Sequence, residues 1–312
     1  MFGKSFHKVI IWIIYISLAV FVFPIVLVVS SIITNIDSCR RKKEKSIKNE
    51  VAVVTGSASG LGKNIAIELA ARGCHVAICD INYDLAVTTA KEIAEKYGVK
   101  AKAYKVDVSK YDEIVELNEK LTNDIGFATI LVNNAGLLMH SDRLKPTVKE
   151  IEAMINVNYT SHFWTNRVFM ENMKRARKGY LMAMCSIAGL QAFAQAEPYS
   201  STKFAVRTLM RILRAELKIE GFRCIHLTTV FPYFIRTNAR VTQLAEEGGF
   251  TKVIPLLESE EVAQRAVSGM LCGEVEVIIP SFTALIYRLL VLLPQRVQDY
   301  LTAANVSTSN NI

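Results

Sequence analysis

The chain has 312 residues, 51% of them hydrophobic, and a formal net charge of +8 at pH 7. The length fits a single α/β domain with an appended segment, and the hydrophobic share is high for a soluble protein, which indicates a localised apolar excess. Outside one basic cluster the charges are interspersed in both signs, no nucleic-acid-binding motif occurs, and the six cysteines lack metal-like spacing. We therefore expect neither a nucleic-acid partner nor a metal site.

The apolar excess lies at the N-terminus, where the run from Val9 to Ile33 contains no charged residue. A helix needs about 20 apolar residues to span a bilayer, so residues 1–36 are predicted to be a retained membrane anchor. A cleaved signal peptide and a buried core helix are the alternatives. The run is longer than the apolar region of a signal peptide and shows no polar face.

A basic linker, residues 37–49, follows the predicted anchor and contains five cations between Arg40 and Lys45, against two cations before the apolar run. This bias places the C-terminal side in the cytoplasm, and the cluster suits anionic lipid head groups. We therefore expect membrane lipids as partners, an endoplasmic reticulum membrane location and a cytosolic catalytic domain. Lipid droplets are the alternative location, if the apolar run folds into a hairpin about Pro24.

A dinucleotide-binding domain is predicted over residues 50–280. It starts with Val51–Val54, an apolar β-branched run typical of a strand buried on both faces of a parallel sheet. A glycine-rich turn follows and leads into a helix predicted from Asn64 to Ala71. Glycines at such a turn allow close backbone approach to a pyrophosphate, whose charge faces the helix N-terminus. We therefore expect a dinucleotide-binding turn formed by Gly56, Ser57, Gly60, Leu61 and Gly62.

The second predicted strand, His75–Cys79, ends at Asp80. An acidic side chain at this position can accept hydrogen bonds from the adenosine ribose hydroxyls and would repel a 2′-phosphate. None of the next three residues is an arginine that could bind such a phosphate, so we expect NAD(H) as the cofactor. NADP(H) is the alternative cofactor, because the cation Lys63 follows the glycine-rich turn.

Strand and helix patterns alternate to the end of the domain, which predicts a doubly wound parallel sheet in a single Rossmann-type α/β domain. The further predicted helices are Asp84–Tyr97, Lys110–Asp124, Ser200–Ile219 and Ser259–Leu271. The further predicted strands are Ala101–Val106, Ala128–Val132, Gly179–Cys185, Arg223–Val230 and Val275–Ile279.

Tyr199 and Lys203 stand one turn apart on the same face if the run from Ser200 to Ile219 is helical, as its apolar spacing predicts. An ammonium ion at that distance favours the phenolate form of a tyrosine, which can then exchange a proton with an alcohol or carbonyl. A Tyr-x-x-x-Lys pair alone is common on solvated helices. Here Ser186, at the end of a predicted strand, precedes the tyrosine by 13 residues.

Four motifs of this chain occur in the order typical of one enzyme family. They are the glycine-rich turn, Asp107, the segment Asn133–Gly136, and the tyrosine and lysine behind Ser186. From Lys48 to Pro280 the chain therefore resembles the short-chain dehydrogenases/reductases. The resemblance implies an oxidoreductase that acts on CH–OH groups with a nicotinamide cofactor.

The resemblance also implies roles for individual residues. Ser186 would hydrogen-bond the reacting oxygen of the substrate, Tyr199 would exchange the proton, and Lys203 would hold the nicotinamide ribose. Asn158 would anchor a water of the proton relay. The further cofactor contacts that the resemblance implies are Asp107, Val108, Asn134, Ala135, Gly136, Tyr199, Lys203 and Thr237.

The chain departs from the family pattern at Tyr233, where family members usually have a glycine after the proline. With a tyrosine at this position, the chain resembles the branch of the family that contains membrane-associated retinol dehydrogenases and 17β-hydroxysteroid dehydrogenases. The resemblance implies a lipophilic alcohol or ketone as substrate, with retinol first, and a 17β-hydroxysteroid or a long-chain lipid alcohol as alternatives. An NADPH-dependent carbonyl reductase and a membrane-tethered nucleotide-binding scaffold without turnover are the other hypotheses.

Residues 281–312 form a C-terminal segment. Phe282–Leu293 is apolar except for one arginine and is too short to span a bilayer. It suits lying on a membrane, closing over the pocket or packing as a core helix. A substrate lid is predicted from Asn238 to Leu257, with a plain surface loop as the alternative. Thr302–Ile312 is predicted to be a disordered polar tail, and a homodimer is left open.

Overall fold

The computed structural model describes residues 2–22, 25, 43–138, 146–236, 242, 245–246, 251 and 254–307. The chain forms two compact units, Met1–Glu44 and Lys45–Ile312.

The first unit contains helix α1, Phe2–Ser17, followed by a π-helical turn, Leu18–Val22. The large apolar side chains from Ile10 to Val22 are exposed on all sides. In the part of the chain that the structure describes, no helix combines the length and the apolar character that crossing a membrane requires. Residues 26–42, which hold the end of the predicted anchor and most of the basic cluster, lie outside that part.

The second unit is organised around one parallel sheet. Its strands are β1 (Val51–Thr55), β2 (His75–Asp80), β3 (Ala101–Lys105), β4 (Ile130–Asn133), β5 (Gly179–Met184), β6 (Ile225–Pro232) and β7 (Glu276–Ile279). Their order across the sheet is β3-β2-β1-β4-β5-β6-β7, and all pairs are parallel. The strand order reverses between β1 and β4, so a crevice opens at the carboxyl ends of these two neighbours.

Helices cover both faces of this sheet. They are α2 (Gly60–Ala71), α3 (Tyr83–Tyr97), α4 (Tyr111–Asp124), α5 (Val148–Ile155), α6 (Ser161–Ala176), α7 (Glu197–Ile219), α8 (Ser259–Leu271), α9 (Thr283–Leu290) and α10 (Gln295–Ser307). A π-helical turn, Asn156–Thr160, joins α5 to α6. The predicted doubly wound, Rossmann-type sheet is confirmed.

Two hydrophobic cores follow from the alternation of side chains along the strands. In β1, Ala52 and Val54 belong to a core with α2, α3 and α8, whereas Val51 and Val53 belong to a core with α4, α6 and α7. Full burial of one such large aliphatic side chain contributes about 1.5–3 kcal/mol. Both faces of the strand are therefore fixed, and the carboxyl end of β1 is held in place beneath the crevice.

A third cluster lies at the carboxyl ends of β5, β6 and β7. Phe231 and Ile278 are buried in it together with Tyr233 and Tyr287. This cluster connects α9 to the segment that follows β6.

The C-terminal tail differs from the sequence-based expectation. The prediction of disorder is wrong for residues 302–307, because α10 continues to Ser307. The run includes alanines, which favour helix, and the hydroxyl of Thr302 donates to the carbonyl of Gln298 at 2.9 Å within the helix. Residues 308–312 and most of the predicted lid, Asn238–Leu257, lie outside the described residues.

Candidate active site

The glycine-rich turn connects β1 to α2 at the crevice. Gly56 has a φ of 63°, which favours glycine. Gly62 is required for a different reason, because a Cβ there would lie 2.1 Å from the carbonyl oxygen of Gly56 and 2.5 Å from Nδ2 of Asn134. The first amides of α2 have no partner within the helix and lie at this turn. The turn is therefore a tight backbone cradle of the kind that binds a phosphate.

Asn134, directly after β4, ties this turn to the neighbouring strand. Its Nδ2 donates to the carbonyl oxygens of Thr55 and Gly56, both at 3.0 Å. The hydroxyl oxygen of Thr55 accepts from the backbone N–H groups of Asn134 and Ala135, also at 3.0 Å. Thr55 is thus a site residue that the sequence analysis missed. Its signal was a hydroxyl at the end of an aliphatic strand.

Ser57 and Asp80 connect the turn to β2. The hydroxyl of Ser57 donates to the carbonyl of Val54 at 2.6 Å and accepts from the backbone N–H of Cys79 at 3.0 Å, so the serine side chain is already used within the protein. The carboxylate of Asp80 accepts from the backbone N–H groups of Ala58 and Asn82, both at 3.0 Å. These bonds hold the carboxylate beside the turn.

Lys63 bears on the choice between the two dinucleotides. Its Nζ forms an ion pair with Glu92 on α3 at 2.5 Å. The ammonium of Lys63 is therefore paired with a carboxylate of the protein.

Asp107 and Val108 lie further along the same edge of the sheet, after β3. The carboxylate of Asp107 accepts from the hydroxyl of Ser109 at 2.7 Å, and Val108 is buried.

Asn158 lies in the π-helical turn and is fully buried. Its Oδ1 accepts from the backbone N–H of Leu137 at 2.6 Å, and its Nδ2 donates to the carbonyl of the same residue at 2.8 Å. A Cβ on Gly136 would lie 3.4 Å from Oδ1 of Asn158 and 3.8 Å from Nζ of Lys203. Asn158 and Lys203 therefore converge on the backbone after β4.

Tyr199 and Lys203 lie in the first two turns of α7. Pro198 is the second residue of this helix, where the missing N–H of a proline costs no helical hydrogen bond. Nζ of Lys203 lies 5.5 Å from the centre of the Tyr199 ring and donates to the carbonyl of Met184 at 3.1 Å. Lys203 is only 5% exposed. Because an ammonium has three donors and Met184 takes one, donors remain for a ligand at this point.

Ser186 follows β5 and caps the short 3-10 turn Ile187–Gly189. Its Oγ accepts from the backbone N–H of Ala188 at 3.1 Å. A hydroxyl that accepts in this way keeps its own hydrogen for another acceptor. Ser186 is therefore arranged to donate to an oxygen of a bound molecule.

A cavity of about 300 Å³ joins these groups. Its polar lining includes Asn134, Ser186, Tyr199 and Lys203, and most of the remaining wall is apolar. The larger apolar side chains in the wall include Leu61, Leu137, Leu138, Met184, Ile187, Phe193, Tyr233, Phe234 and Ile235. A cavity of this composition suits a hydrophobic molecule with one polar end.

Burial keeps the groups around the cavity neutral. It raises the pKa of Tyr233 to about 12 and that of Cys185 to about 11. Burial, and then the charge of Lys203, lower the pKa of His162 on α6 to about 3. Among the described lining residues, Lys203 is the charged one. A single buried cation therefore faces Tyr199 in a neutral, mainly apolar wall.

Comparison with known proteins decides the family. Residues 50–248 match the family model for short chain dehydrogenase, which is more than half of the chain. The chain belongs to the short-chain dehydrogenase family. The predicted resemblance is confirmed.

Two curated relatives place the dehydrogenase within the family. Short-chain dehydrogenase/reductase family 16C member 6 of Bos taurus is 33% identical over 245 residues, which cover 78% of this chain and 76% of that protein. The 17-beta-hydroxysteroid dehydrogenase 13 of Homo sapiens is 31% identical over 255 residues, which cover 82% and 83%. These relatives match the predicted branch.

A solved structure supports the fold of the dehydrogenase. A short-chain dehydrogenase/reductase of Burkholderia phymatum in complex with NAD is 19% identical, with a TM-score of 0.69, and the match covers 78% of this chain and 93% of that chain. At this identity the match shows the fold alone. With the family and its curated relatives, the dehydrogenase is an oxidoreductase that acts on CH–OH groups with NAD(H) or NADP(H).

The residues of the dehydrogenase fit a nicotinamide dinucleotide. A side chain at Gly62 would fill the cradle of the glycine-rich turn, and Asp80 holds acceptors beside that turn. Lys203 presents a buried ammonium at the other end, next to Tyr199. When bound, the dinucleotide supplies the hydride donor or acceptor.

The cavity brings together some of the predicted site residues of the dehydrogenase, namely Leu61, Asn134, Gly136, Ser186, Tyr199 and Lys203. The described lining does not include Asn158 or the residues Gly56, Ser57, Gly60, Gly62 and Ala135. Asp80, Asp107 and Val108 lie apart from the cavity, at the ends of β2 and β3, and Thr237 lies outside the described residues. The cavity also contains Phe193 and Gln195, which the sequence analysis missed because no motif marks the segment between Ser186 and Tyr199.

Proposed function

We propose that this dehydrogenase is a membrane-anchored enzyme that transfers a hydride between NAD(H) and a lipophilic alcohol or ketone, with retinol and retinal as the first pair. The observation that carries the proposal is the apolar cavity whose lining contains the hydroxyls of Ser186 and Tyr199. Sites for lipophilic ligands are mainly apolar, with a few placed polar groups.

In the proposed oxidation, Ser186 and Tyr199 contact the alcohol group and Lys203 acts on Tyr199. Ser186 donates to the alcohol oxygen, since its Oγ already accepts from Ala188. Tyr199, as the phenolate, takes the hydroxyl proton while the hydride leaves the carbon, so the carbon–oxygen bond becomes a carbonyl. The ammonium of Lys203 lies 5.5 Å from the centre of the Tyr199 ring, and its positive charge would favour negative charge on the tyrosine oxygen during this step.

Asn158 has the proposed role of positioning the backbone at Leu137. Both ends of its carboxamide are bonded to Leu137, so the side chain holds the backbone after Gly136. The relay water that the resemblance implies would then bind the main chain of the π-helical turn instead of the carboxamide. Such turns leave backbone groups out of the regular helical pattern and are frequent at functional sites.

NAD(H) is the proposed dinucleotide. The carboxylate of Asp80 is fixed by two backbone N–H groups beside the glycine-rich turn, where it would accept from ribose hydroxyls and repel a 2′-phosphate. Lys63, which kept NADP(H) as the alternative, is paired with Glu92.

Membrane anchoring by residues 1–36 is part of the proposal, with the catalytic domain in the cytosol at the endoplasmic reticulum and lipid droplets as the alternative location. It is supported by the uncharged run from Val9 to Ile33 and by the apolar side chains that α1 exposes on all sides. A tethered site lies next to alcohols that are dissolved in the bilayer. A lipophilic substrate follows from this placement.

A homodimer is a further part of the proposal. The apolar side chains of Phe163 on α6 and of Phe204 and Ile212 on α7 are exposed. Exposed apolar groups of this size favour self-association.

A 17β-hydroxysteroid is the second candidate substrate. It is favoured by the similarity to the human relative named 17-beta-hydroxysteroid dehydrogenase 13, at 31% identity. A long-chain lipid alcohol would place the same kind of hydroxyl in the same cavity.

The test is to incubate the membrane-bound protein with NAD and separate alcohols and to follow NADH formation. The panel contains retinol, a 17β-hydroxysteroid, a long-chain alcohol and a short polar alcohol, with NADP in parallel. We expect turnover of the lipophilic alcohols with NAD. Turnover of steroid without retinol would reverse the order of the two candidates, activity confined to the short alcohol would overturn the proposal, and dinucleotide binding without any turnover would favour the scaffold hypothesis.

A further inference from the structure

Helix α9 has two apolar faces, and the protein covers one of them. On the inner face, Thr283 and Tyr287 are buried and Leu290 is partly buried. On the outer face, Phe282, Leu285, Ile286 and Leu289 are exposed to 66%, 58%, 53% and 53%. We call these four residues the α9 stripe, because their spacing of three, one and three positions aligns them along one side of the helix.

The α9 stripe is continued by Val291, Leu292 and Leu293, which are also exposed. Scattered exposed apolar side chains are normal, but a contiguous patch of several large ones marks a surface that another molecule covers. The helix has eight residues and is therefore about 12 Å long, far short of the ~30 Å of a bilayer core. It cannot span a membrane and could only lie along its surface.

The charges around the α9 stripe favour a lipid surface as the covering partner. From Phe282 to Gln298 the sequence contains two cations, Arg288 and Arg296, and no acidic residue; the first acidic residue on the C-terminal side is Asp299 on α10. A helix that combines an apolar face with cations lies at the boundary of acyl chains and head groups and is attracted by anionic lipids. The same chain has a 25-residue apolar run at its N-terminus that suits the same medium.

The inner face of α9 packs against residues of the cavity wall. Tyr287, Ala284 and Leu290 pack in the same cluster as Phe193, Tyr233 and Phe234, and the last three line the cavity. The α9 stripe therefore lies one helix thickness away from the wall that would contact a lipophilic substrate.

We propose that the α9 stripe is a second membrane contact, in which its four side chains insert among acyl chains and Arg288 lies at the head groups. The contact sets the catalytic unit on the membrane with α9 between the lipid and the cavity wall. The consequence for substrate entry rests on the proposed function, because an alcohol dissolved in the bilayer would then reach the cavity without crossing water. The contact itself does not depend on the reaction.

The test uses the full chain in vesicles of phosphatidylcholine and phosphatidylserine. Ile286→Cys carries an environment-sensitive NBD label, and Ile219→Cys is the matched control, because Ile219 is 85% exposed at the last residue of α7. The label signal of the unsubstituted protein, which reports its native cysteines, is subtracted. Lipids with a nitroxide on the acyl chain are the quenchers.

We expect a blue-shifted emission at position 286 and quenching by the lipid-borne nitroxide several-fold stronger than at position 219. Equal quenching at the two positions would overturn the proposal. A blue shift at position 286 without lipid quenching would also overturn it, because protein, such as a second copy of this chain, would then cover the stripe.

A second variant gives an independent readout. Leu285→Glu with Leu289→Glu should reduce the lipid quenching at position 286 several-fold while dinucleotide binding, measured on the same protein, stays unchanged. Unchanged quenching would contradict the proposal. Because quenching requires no turnover, a failure of this experiment is distinct from a failure of the proposed reaction, which would appear as absent NADH formation with intact membrane contact.

Discussion

Nζ of Lys203 lies 5.5 Å from the centre of the Tyr199 ring, one turn further along α7. In the proposed oxidation this contact supports the proton acceptor, so Tyr199→Phe should remove the acceptor and keep the ring. Loss of a general base lowers turnover by about 10²–10⁴-fold. We expect that loss in NADH formation, with dinucleotide affinity unchanged in a direct binding titration. Tyr300→Phe is the control, because Tyr300 is an exposed tyrosine outside the cavity lining. Turnover of Tyr199→Phe at the unsubstituted rate would remove Tyr199 from the mechanism.

Asp80→Asn should weaken the discrimination between the two dinucleotides. The substitution removes the negative charge beside the glycine-rich turn while leaving an oxygen that can accept a hydrogen bond. We expect the ratio of kcat/KM for NAD to kcat/KM for NADP to fall by about tenfold, which corresponds to ~1.4 kcal/mol. Asp84→Asn, four residues further on an exposed helical turn, should leave the ratio unchanged. A clear preference of the unsubstituted protein for NADP would show that Asp80 does not select NAD.

Gly62→Ala should impair dinucleotide binding and the stability of the fold together. The added Cβ would meet the carbonyl oxygen of Gly56 at 2.1 Å, and the backbone must move to relieve the contact. Such overpacking costs about 1–3 kcal/mol. Gly98→Ala is the matched control, because its φ of 66° strains an alanine by about 1–2 kcal/mol while no atom lies within 4 Å of the new Cβ. Denaturant unfolding should show a loss for both variants, and a dinucleotide titration should show a loss for Gly62→Ala alone.

His162 should make the folded state sensitive to acid. Its folded pKa of about 3 lies below the unfolded value of about 6.5, so between these two pH values the unfolded chain binds more protons than the folded one. The stability is therefore complete above about pH 6.5 and falls as the pH drops towards 3, by at most ~1.4 kcal/mol per pH unit.

His162→Phe should flatten this pH dependence when denaturant unfolding is measured from about pH 7 to about pH 5. Within the described residues Nδ1 of His162 has no hydrogen-bond partner, so replacing the imidazole by an apolar ring removes no hydrogen bond at Nδ1. His75→Asn is the comparison, because burial lowers the pKa of His75 at a partly exposed position and the flattening should be smaller. An unchanged slope for His162→Phe would assign the acid sensitivity to other groups.

A protease added outside sealed microsomes should digest the catalytic domain after Arg40. The five cations of the linker favour the cytosolic side, so the domain should be accessible without detergent. A lumenal marker protein that stays intact is the control for sealed vesicles. Protection of the domain until detergent is added would reverse the orientation.

The central strands could be predicted because their burial on both faces leaves an unbroken apolar signature. The predictions Val51–Val54 and His75–Cys79 end one residue before β1 and β2 do. Helix starts were less accurate. Helix α2 begins at Gly60, four residues before the predicted start, because glycines that indicate a turn also fit the first helical turn. The helices α5 and α6 are not among the predicted elements, since the π-helical turn between them interrupts the apolar spacing.

The candidate site was predictable where its residues contact through side chains at short sequence distance, as Tyr199 and Lys203 do. It was not predictable where a side chain binds a distant backbone group. Nothing in the sequence indicates that Lys203 donates to the carbonyl of Met184 or that Asn158 bonds both backbone groups of Leu137. Such contacts depend on the strand order, which brings segments together that are far apart in the chain. The roles of the site residues stay predictions until the variants above are measured.

The bond from Nδ2 of Asn134 to the carbonyl of Gly56 joins residues that are 78 positions apart. While the chain is being synthesised, the glycine-rich turn therefore leaves the ribosome long before the residue that clamps it. A nascent chain that stops after α4 contains β1, α2 and β2 but lacks both Asn134 and the strand that fills the place next to β1. The bonds from Asn134 can hold the turn in its binding shape only when β4 has been inserted, so the glycines of the turn emerge before the residue that fixes their shape for a dinucleotide.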